Sequence, residues 1–454
     1  MTTITNSHDL FVQQYIERTP MSRRLYEEAR QYLPGGVPGN AGYRTPHPLY
    51  VDRAQGPYLW DVDGNRYVDS LIGGGPHVLG HSPPAVMAAV KQQLDNGTST
   101  IAPSEKAVVL AKLIQKHMPH MELLRFVHTG SEAVHMSMRV ARAFTGRQKI
   151  GKFEGNFHGG YDNLLVSGTS FAGPEDRPVA IGEGAGIPQS VLDDTIVLPF
   201  NNTQATVALI EENASDLAAV MVEPVGGTWL GGIIADQSFL EALREVTERH
   251  DILLIFDEVI TGFHVDMGGS AAVTGITADL TTLAKAIGGG FPLGAFGGRR
   301  DIMEEVVTPP TGPDDDRPTI FQSGTFQSNL VSLTAGISMI SELEKPRVFS
   351  KMVDFGDQIR EGIEKIGADL GLPLQAIGQG PIFGVYFAET PVRTLRDVVA
   401  SDRAAAGTFY LGLVANGVFI TPYHLGFTNA AQNQTDIDAI LEACHMVLSI
   451  IKAN

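Results

Sequence analysis

SFLEALREVTERHDILLIFDEV, residues 238–259, joins two patterns of different period. Phe239, Leu240, Leu243 and Val246 recur at helical spacing, with Glu and Arg residues between them. Ile252–Phe256 is then an unbroken apolar run, short for a helix and well suited to a strand buried on both faces. An amphipathic helix feeding a buried strand is half of a β-α-β unit, and the same texture spreads outward from it. Upstream, LLRFVHTG (123–130) reads as a strand and SEAVHMSMRVARAFTG (131–146) as a helix, with Ser131 as N-cap and Gly146 at its end. IGKFEG (150–155) and AAVMVEPVGG (218–227) read as further strands. The alternation predicts an α/β fold with a mostly parallel sheet covered on both faces.

The ends of the chain have another texture. Roughly the first 35 residues read as helix up to Pro34-Gly35-Gly36. PLYVDRAQG (48–56) and PYLWDVDGNRYVDS (57–70) follow as short β-type runs, the second folded at Asp63-Gly64-Asn65. Beyond residue 330, a helix (LVSLTAGISMISELEK, 330–345) leads into an α+β part that contains GPIFGVYFAE (380–389) and ends in a helix at 435–451. TPPTGPDDDRP (308–318) is predicted to be an exposed loop.

With 454 residues, 43% of them hydrophobic, the chain can bury a large core. Its net charge of -18 argues against nucleic acid or an anionic membrane as a partner. No apolar stretch is long enough to span a bilayer, and MTTITNSHDLF lacks the pattern of a signal peptide. The single cysteine, Cys444, rules out an internal disulfide and reads as a packed core thiol. A cytoplasmic location is the expectation.

Ligands of such sheets collect at the carboxyl ends of the strands. Thr129-Gly130-Ser131-Glu132 opens a helix there and offers backbone N–H groups to a phosphate, although the same turn can be a plain cap. Asp257 ends a strand behind five apolar residues and needs a cation or donor to stay ionised. A pyridinium N–H would serve, as would a basic side chain. Lys285, in Leu283-Ala284-Lys285-Ala286-Ile287 before three glycines, is a lysine in apolar surroundings, where a lowered pKa makes an amine nucleophilic toward an aldehyde, although taken singly it also reads as a lysine whose stem is buried and whose amine reaches water. Together these groups form an anion site, a pyridinium partner and an imine-forming amine, the set that pyridoxal 5′-phosphate requires. No metal site is expected.

These blocks resemble a known family. HTGSEA (128–133), KFEGNFHGGYDN (152–163), VMVEPVGG (220–227), LLIFDEVITGF (253–263), DLTTLAKAIGGGFPLGAFGGRRDIM (279–303) and FQSGTF (321–326) are similar, in order, to blocks of the class III (fold type I) aminotransferases, especially the branch like glutamate-1-semialdehyde 2,1-aminomutase. The resemblance implies a large cofactor-binding domain over residues 76–330, built on a mostly parallel seven-stranded sheet. It implies a smaller α+β domain assembled from residues 1–75 and 331–454, and a homodimer with a shared active site. Lys285 would carry the cofactor as a Schiff base and Asp257 would pair with the ring nitrogen. Val259 and Phe157, where most relatives have Tyr, would sandwich the ring, with His158 beside it and Glu223 nearby. Gly130 and Ser131 would bind the phosphate, and Thr325 would reach the phosphate of the neighbouring subunit.

On the substrate side the family pattern breaks. The aminomutase's carboxylate-binding arginine aligns with Gly42, while Arg44 lies two residues on. Its bulky wall falls at Gly74, in Gly73-Gly74-Gly75-Pro76, its asparagine at Thr228, and its C-terminal glutamate at His424. The expectation is an aminotransferase acting between separate molecules, on a bulky, aromatic or β-amino donor and a keto acid, with the aminomutase as the alternative. A racemase or decarboxylase on the same scaffold stays third. Gly146–Lys152 fits the spacing of a phosphate-binding P-loop, but Phe153 follows where Ser or Thr would bind magnesium. No G-x-G-x-x-G follows a strand, against a dinucleotide fold. An inactive protein on the same scaffold is disfavoured by the presence of Lys285.

Overall fold

The computed structural model describes residues 6–327, 329–421 and 425–453. At its centre is a seven-stranded sheet. Its strands, numbered along the chain, are β1 (Leu123–Val127), β2 (Lys149–Phe153), β3 (Thr195–Leu198), β4 (Leu217–Val222), β5 (Leu253–Glu258), β6 (Leu280–Leu283) and β7 (Gly294–Gly298). Their spatial order is β1-β7-β6-β5-β4-β2-β3. Only β7 runs against its neighbours, pairing antiparallel with both β1 and β6. The other six therefore end at one edge of the sheet.

Every residue of β4 and β5 is buried, as unbroken apolar runs demand of a sheet covered on both faces. The helix Gln237–Arg249 lays Phe239, Leu240, Leu243 and Val246 on one of those faces. Gly130–Thr145 covers the other through Val134, Met138 and Ala141.

The two chain ends meet in a second sheet. Val51–Gln55, Tyr58–Asp61 and Arg66–Asp69 form an antiparallel meander, and Val418–Phe419 adds to it parallel to the third strand. The turn at residues 61–65 is held by the Asp61 carboxylate, which accepts from the backbone N–H of Asp63 (3.0 Å) and Asn65 (2.7 Å). A third sheet comprises Leu374–Ile377, Ile382–Phe387 and Gly426–Phe427.

Two local expectations are corrected. The opening helix is two helices, Ser7–Arg18 and Pro20–Ala29, because Pro20 has no N–H to donate and Thr19 before it leaves helical geometry (φ -126°, ψ 46°). The N-cap of the helix after β1 is Thr129, not Ser131: Thr129 has extended geometry and its hydroxyl accepts from the Glu132 N–H at 3.1 Å. The exposed 308–318 segment and the helix from Leu330 appear as expected. Cys444 is buried in the helix Gln434–Ala453, and burial pushes its thiol up to about 12. Among the described residues, no helix is long and apolar enough to cross a membrane.

Candidate active site

The strand ends converge on one cavity. Asp257 is the penultimate residue of β5, opposite Thr282 of β6 in register. The Thr282 hydroxyl donates to Asp257 Oδ1 (3.0 Å), as does the Val259 N–H (3.1 Å). Oδ2 lies 2.7 Å from Nδ1 of His158, which arrives from the turn after β2. Burial pushes the His158 imidazole down, so the ring is neutral and its Nδ1–H donates to the carboxylate. An apolar strand has thus delivered a carboxylate into a dry place, and three donors compensate it.

Lys285 follows β6 and opens a short 3-10 helix, Lys285–Gly288, with φ +46°. A side chain there is strained, a cost of order 1–3 kcal/mol that recurs at functional positions. Its amine is ringed by protein yet faces the cavity, and no hydrogen bond or ion pair among the described residues engages it. Burial pushes it down to about 8, against the opposing pull of Glu223 and Asp257. A Cβ added at Gly75 would crowd Lys285 Cδ at 3.1 Å, and the φ of +117° at that position itself favours glycine.

The turn after β1 presents the start of the helix Gly130–Thr145. A Cβ on Gly130 would fall 2.7 Å from Val259 Cγ1, so only glycine lets the helix start lie against the residue that flanks Asp257. Since Thr129 does the capping, the Ser131 hydroxyl is left for the site and accepts from the Gly160 N–H at 3.0 Å. Phe157 sits edge-on to Trp229, with ring centroids 5.9 Å apart and planes at 89°. Glu223, at the end of β4, accepts from the N–H groups of Phe157 (2.8 Å) and Gly227 (3.1 Å). Burial and the charge of Asp257 push its carboxyl up.

The cavity measures about 410 Å³ and is lined by every predicted cofactor residue except Thr325, together with Gly74 and Thr228. Thr325 is exposed and lies outside it, although its neighbour Gly324 abuts His128 on the cavity wall. His424 lies outside the described residues. Arg44 is in a second cavity of about 520 Å³, with Tyr43, Leu411 and Phe419, and Thr228 belongs to both linings. Gly42 is exposed and lines neither. Thr282, Trp229 and the Phe291-Pro292-Leu293 wall were not singled out from the sequence. Thr282 alone had a signal, the placement of β6 beside β5. Gly146–Lys152, with P-loop spacing, cradles nothing: Gly146 ends a helix in left-handed geometry and Lys152 points into the interior.

The residues fit pyridoxal 5′-phosphate. An amine without a hydrogen bond or ion pair among the described residues shares a cavity with a buried carboxylate and with a helix start that a Cβ would obstruct. A family model described as aminotransferase class-III matches residues 40–440. The chain belongs to the class-III aminotransferases. It is therefore a pyridoxal phosphate enzyme of fold type I. Among curated relatives, the glutamate-1-semialdehyde 2,1-aminomutase of Methanothrix thermoacetophila is 41% identical over 429 residues, 94% of this chain and 96% of the relative. Among solved structures, an omega-transaminase from Sphaerobacter thermophilus is 36% identical with a TM-score of 0.90, over 96% of this chain and 99% of that one. A beta-phenylalanine aminotransferase from Variovorax paradoxus is 32% identical with a TM-score of 0.87, over 98% and 97%. The aminotransferase fold thus unites relatives whose names describe different chemistry.

Proposed function

We propose that this class-III aminotransferase moves an amino group between separate molecules, from a bulky amine or amino acid, aromatic or β-amino, to a keto acid. Lys285 is the residue that carries the cofactor. Asp257 keeps the ring nitrogen protonated, Val259 and Phe157 hold the ring faces, and Gly130 and Ser131 hold the phosphate. His158 and Glu223 keep these groups in place. Bound pyridoxal phosphate supplies an electron-withdrawing ring and an aldehyde carbon that takes up the amino group. The Lys285 amine moves the proton at the amine-bearing carbon of the substrate.

The observation that carries the substrate assignment is the second cavity. It opens beside the first at Thr228, its lining is mostly apolar, and Arg44 stands in its wall. The Arg44 guanidinium lies 5.7 Å from the Phe419 ring centroid and makes no ion pair among the described residues. A guanidinium without a carboxylate partner is suited to a substrate's carboxylate. On the near side, Gly73 and Gly74 leave the cofactor cavity without a bulky wall. A molecule with an aromatic body and a carboxylate has room in this pair of cavities.

The identity with an aminomutase favours a second reading, in which the amino group returns to the same five-carbon molecule. One pair of assays separates the two. Glutamate-1-semialdehyde is supplied alone and 5-aminolevulinate is measured. In parallel, aromatic β-amino acids and amines are supplied with pyruvate or 2-oxoglutarate. Turnover of the second set supports transfer between molecules. Conversion of the semialdehyde without turnover of the amines establishes the mutase.

We further propose a cytoplasmic homodimer with residues 1–75 and 331–454 as its smaller domain. Thr325, exposed and outside the cavity of its own chain, is assigned to the phosphate of the partner's site. Closed two-fold dimers are the commonest assembly.

A further inference from the structure

Lys152 is an enclosed lysine that the cofactor assignment leaves unused. It lies in β2, paired with Val197 of β3 and Met221 of β4, and is 1% exposed. It does not line the cavity that Lys285 faces. Its ammonium donates to the carbonyl of Asn156 at 3.0 Å and to that of Val166. No carboxylate lies within ion-pair distance of it among the described residues. A lysine held this way bears the desolvation of its charge for some gain elsewhere.

That gain lies in what the two carbonyls flank. Residues 157–165 run between them, and this segment begins with Phe157 and His158. The same segment is tied to β4: Asn156 Oδ1 accepts from the Glu223 N–H at 2.9 Å, and the Phe157 N–H donates to Glu223 Oε2 at 2.8 Å. One ammonium therefore grips both ends of the segment that presents the ring-stacking and carboxylate-binding side chains. Asn156, held by Lys152 through its carbonyl, is thus also bonded through its side chain to Glu223. The charged groups acting on Lys152 are Glu223, Glu183 and Glu154, and only Glu223 among them lines the cavity. Those acting on Glu223 are Asp257, Lys285 and Lys152, and His158 feels Asp257 and Lys152. Once the Lys285 amine is committed to the cofactor, Lys152 is the remaining lysine among the charged groups acting on Glu223.

We propose that Lys152 is a positioning residue: its buried ammonium clamps the 156–166 segment that carries Phe157 and His158, and is the standing counter-charge of Glu223. This rests on the cofactor being held at Lys285, so that point is checked first. Borohydride reduction of the wild-type holoenzyme should lock the cofactor onto the peptide containing Lys285. Label on another peptide removes the cofactor assignment itself.

With that control passed, Lys152→Met and Lys152→Arg holoenzymes are titrated while the absorbance of the bound cofactor is followed. Losing a buried positive charge makes protonation of its neighbours easier. The midpoint of the absorbance change should therefore rise by about one pH unit in Lys152→Met, with cofactor affinity lowered about tenfold. Lys152→Arg, which keeps the charge, should restore the midpoint to within a few tenths of a unit. An unchanged midpoint in folded Lys152→Met overturns the proposal, whatever happens to affinity or melting temperature. Should Lys152→Met fail to fold, Lys152→Met/Glu223→Gln removes both charges together. A folded double variant supports the counter-charge, and an aggregated one refutes it.

Discussion

Thr282 and Asp257 face each other across two parallel strands, and the threonine hydroxyl donates to the carboxylate at 3.0 Å. Strand register, not a loop, thus fixes the acid at the heart of the site. Thr282→Val keeps the shape of the side chain and removes one donor. A hydrogen bond to a charged group contributes about 1.5–3 kcal/mol, so kcat should fall roughly ten- to 150-fold. Asp257→Asn should cost several kcal/mol of transition-state stabilisation, roughly a hundredfold or more, because an unprotonated pyridine is a poor electron sink. Single-turnover rates check both, and a loss below about tenfold in Asp257→Asn counts against its role.

Attachment of the cofactor should follow the state of the Lys285 amine. Burial holds that amine at about 8, below the usual lysine range. Only its neutral form attacks an aldehyde, so apoenzyme mixed with pyridoxal phosphate should react faster as pH rises from 7 to 9, levelling off beyond. The same shift has a sign in stability. A lysine whose folded pKa is depressed penalises the folded state while protonated, so apoenzyme should gain stability as pH climbs from about 8 toward the unfolded lysine value of about 10.4. Lys285→Ala should abolish turnover and lose both trends.

Gly130→Ala tests the close approach of the helix start to Val259. The added methyl would lie 2.7 Å from Val259 Cγ1. Overpacking of this kind costs about 1–3 kcal/mol, to be read from urea unfolding. Cofactor affinity should fall as well, since the helix start must withdraw from the phosphate position. Wild-type affinity in this variant would remove the phosphate role from that turn.

Arg44→Ala separates substrates by their charge. For donors with a carboxylate, kcat/KM should drop roughly ten- to 150-fold, the equivalent of a charged hydrogen bond. Amines without a carboxylate should be unaffected. An equal loss for both classes would make Arg44 a structural residue.

In the proposed dimer, Thr325→Ala should weaken cofactor binding at both sites. Lys285→Ala, by contrast, disables only the site it sits in. Coexpressing the two variants should give hybrid dimers with one complete Lys285 site that still meets an intact Thr325. Activity in such hybrids, from two variants poorly active alone, is the expected complementation.

The sheet was legible because β4 and β5 are apolar without interruption, a pattern that only a doubly covered strand requires. Asp257 and Lys285 were legible for the opposite reason: each is a charged residue set among apolar ones. Lys152 broke the same rule in IGKFEG and went unnoticed, because a lysine near a strand end is usually an exposed one whose stem alone is buried. The N-cap fell two residues early, since Thr129 and Ser131 are both good caps and only the backbone chooses between them. The second cavity had no signal in the sequence. Its walls come from residues 8–49, 228–229 and 407–421, which nothing local brings together.

The pairing of Val418–Phe419 with Arg66–Asp69 also bears on how this protein is born. The meander at residues 51–69 leaves the ribosome about 350 residues before the strand that completes it. At ordinary elongation speeds that is a wait of roughly 20 to 70 s. Throughout it, the edge of Arg66–Asp69 is open to any passing strand. A charged residue at each end of that edge, Arg66 and Asp69, makes it a poor template for aggregation. The nascent chain thus guards the seam that Val418–Phe419 must close.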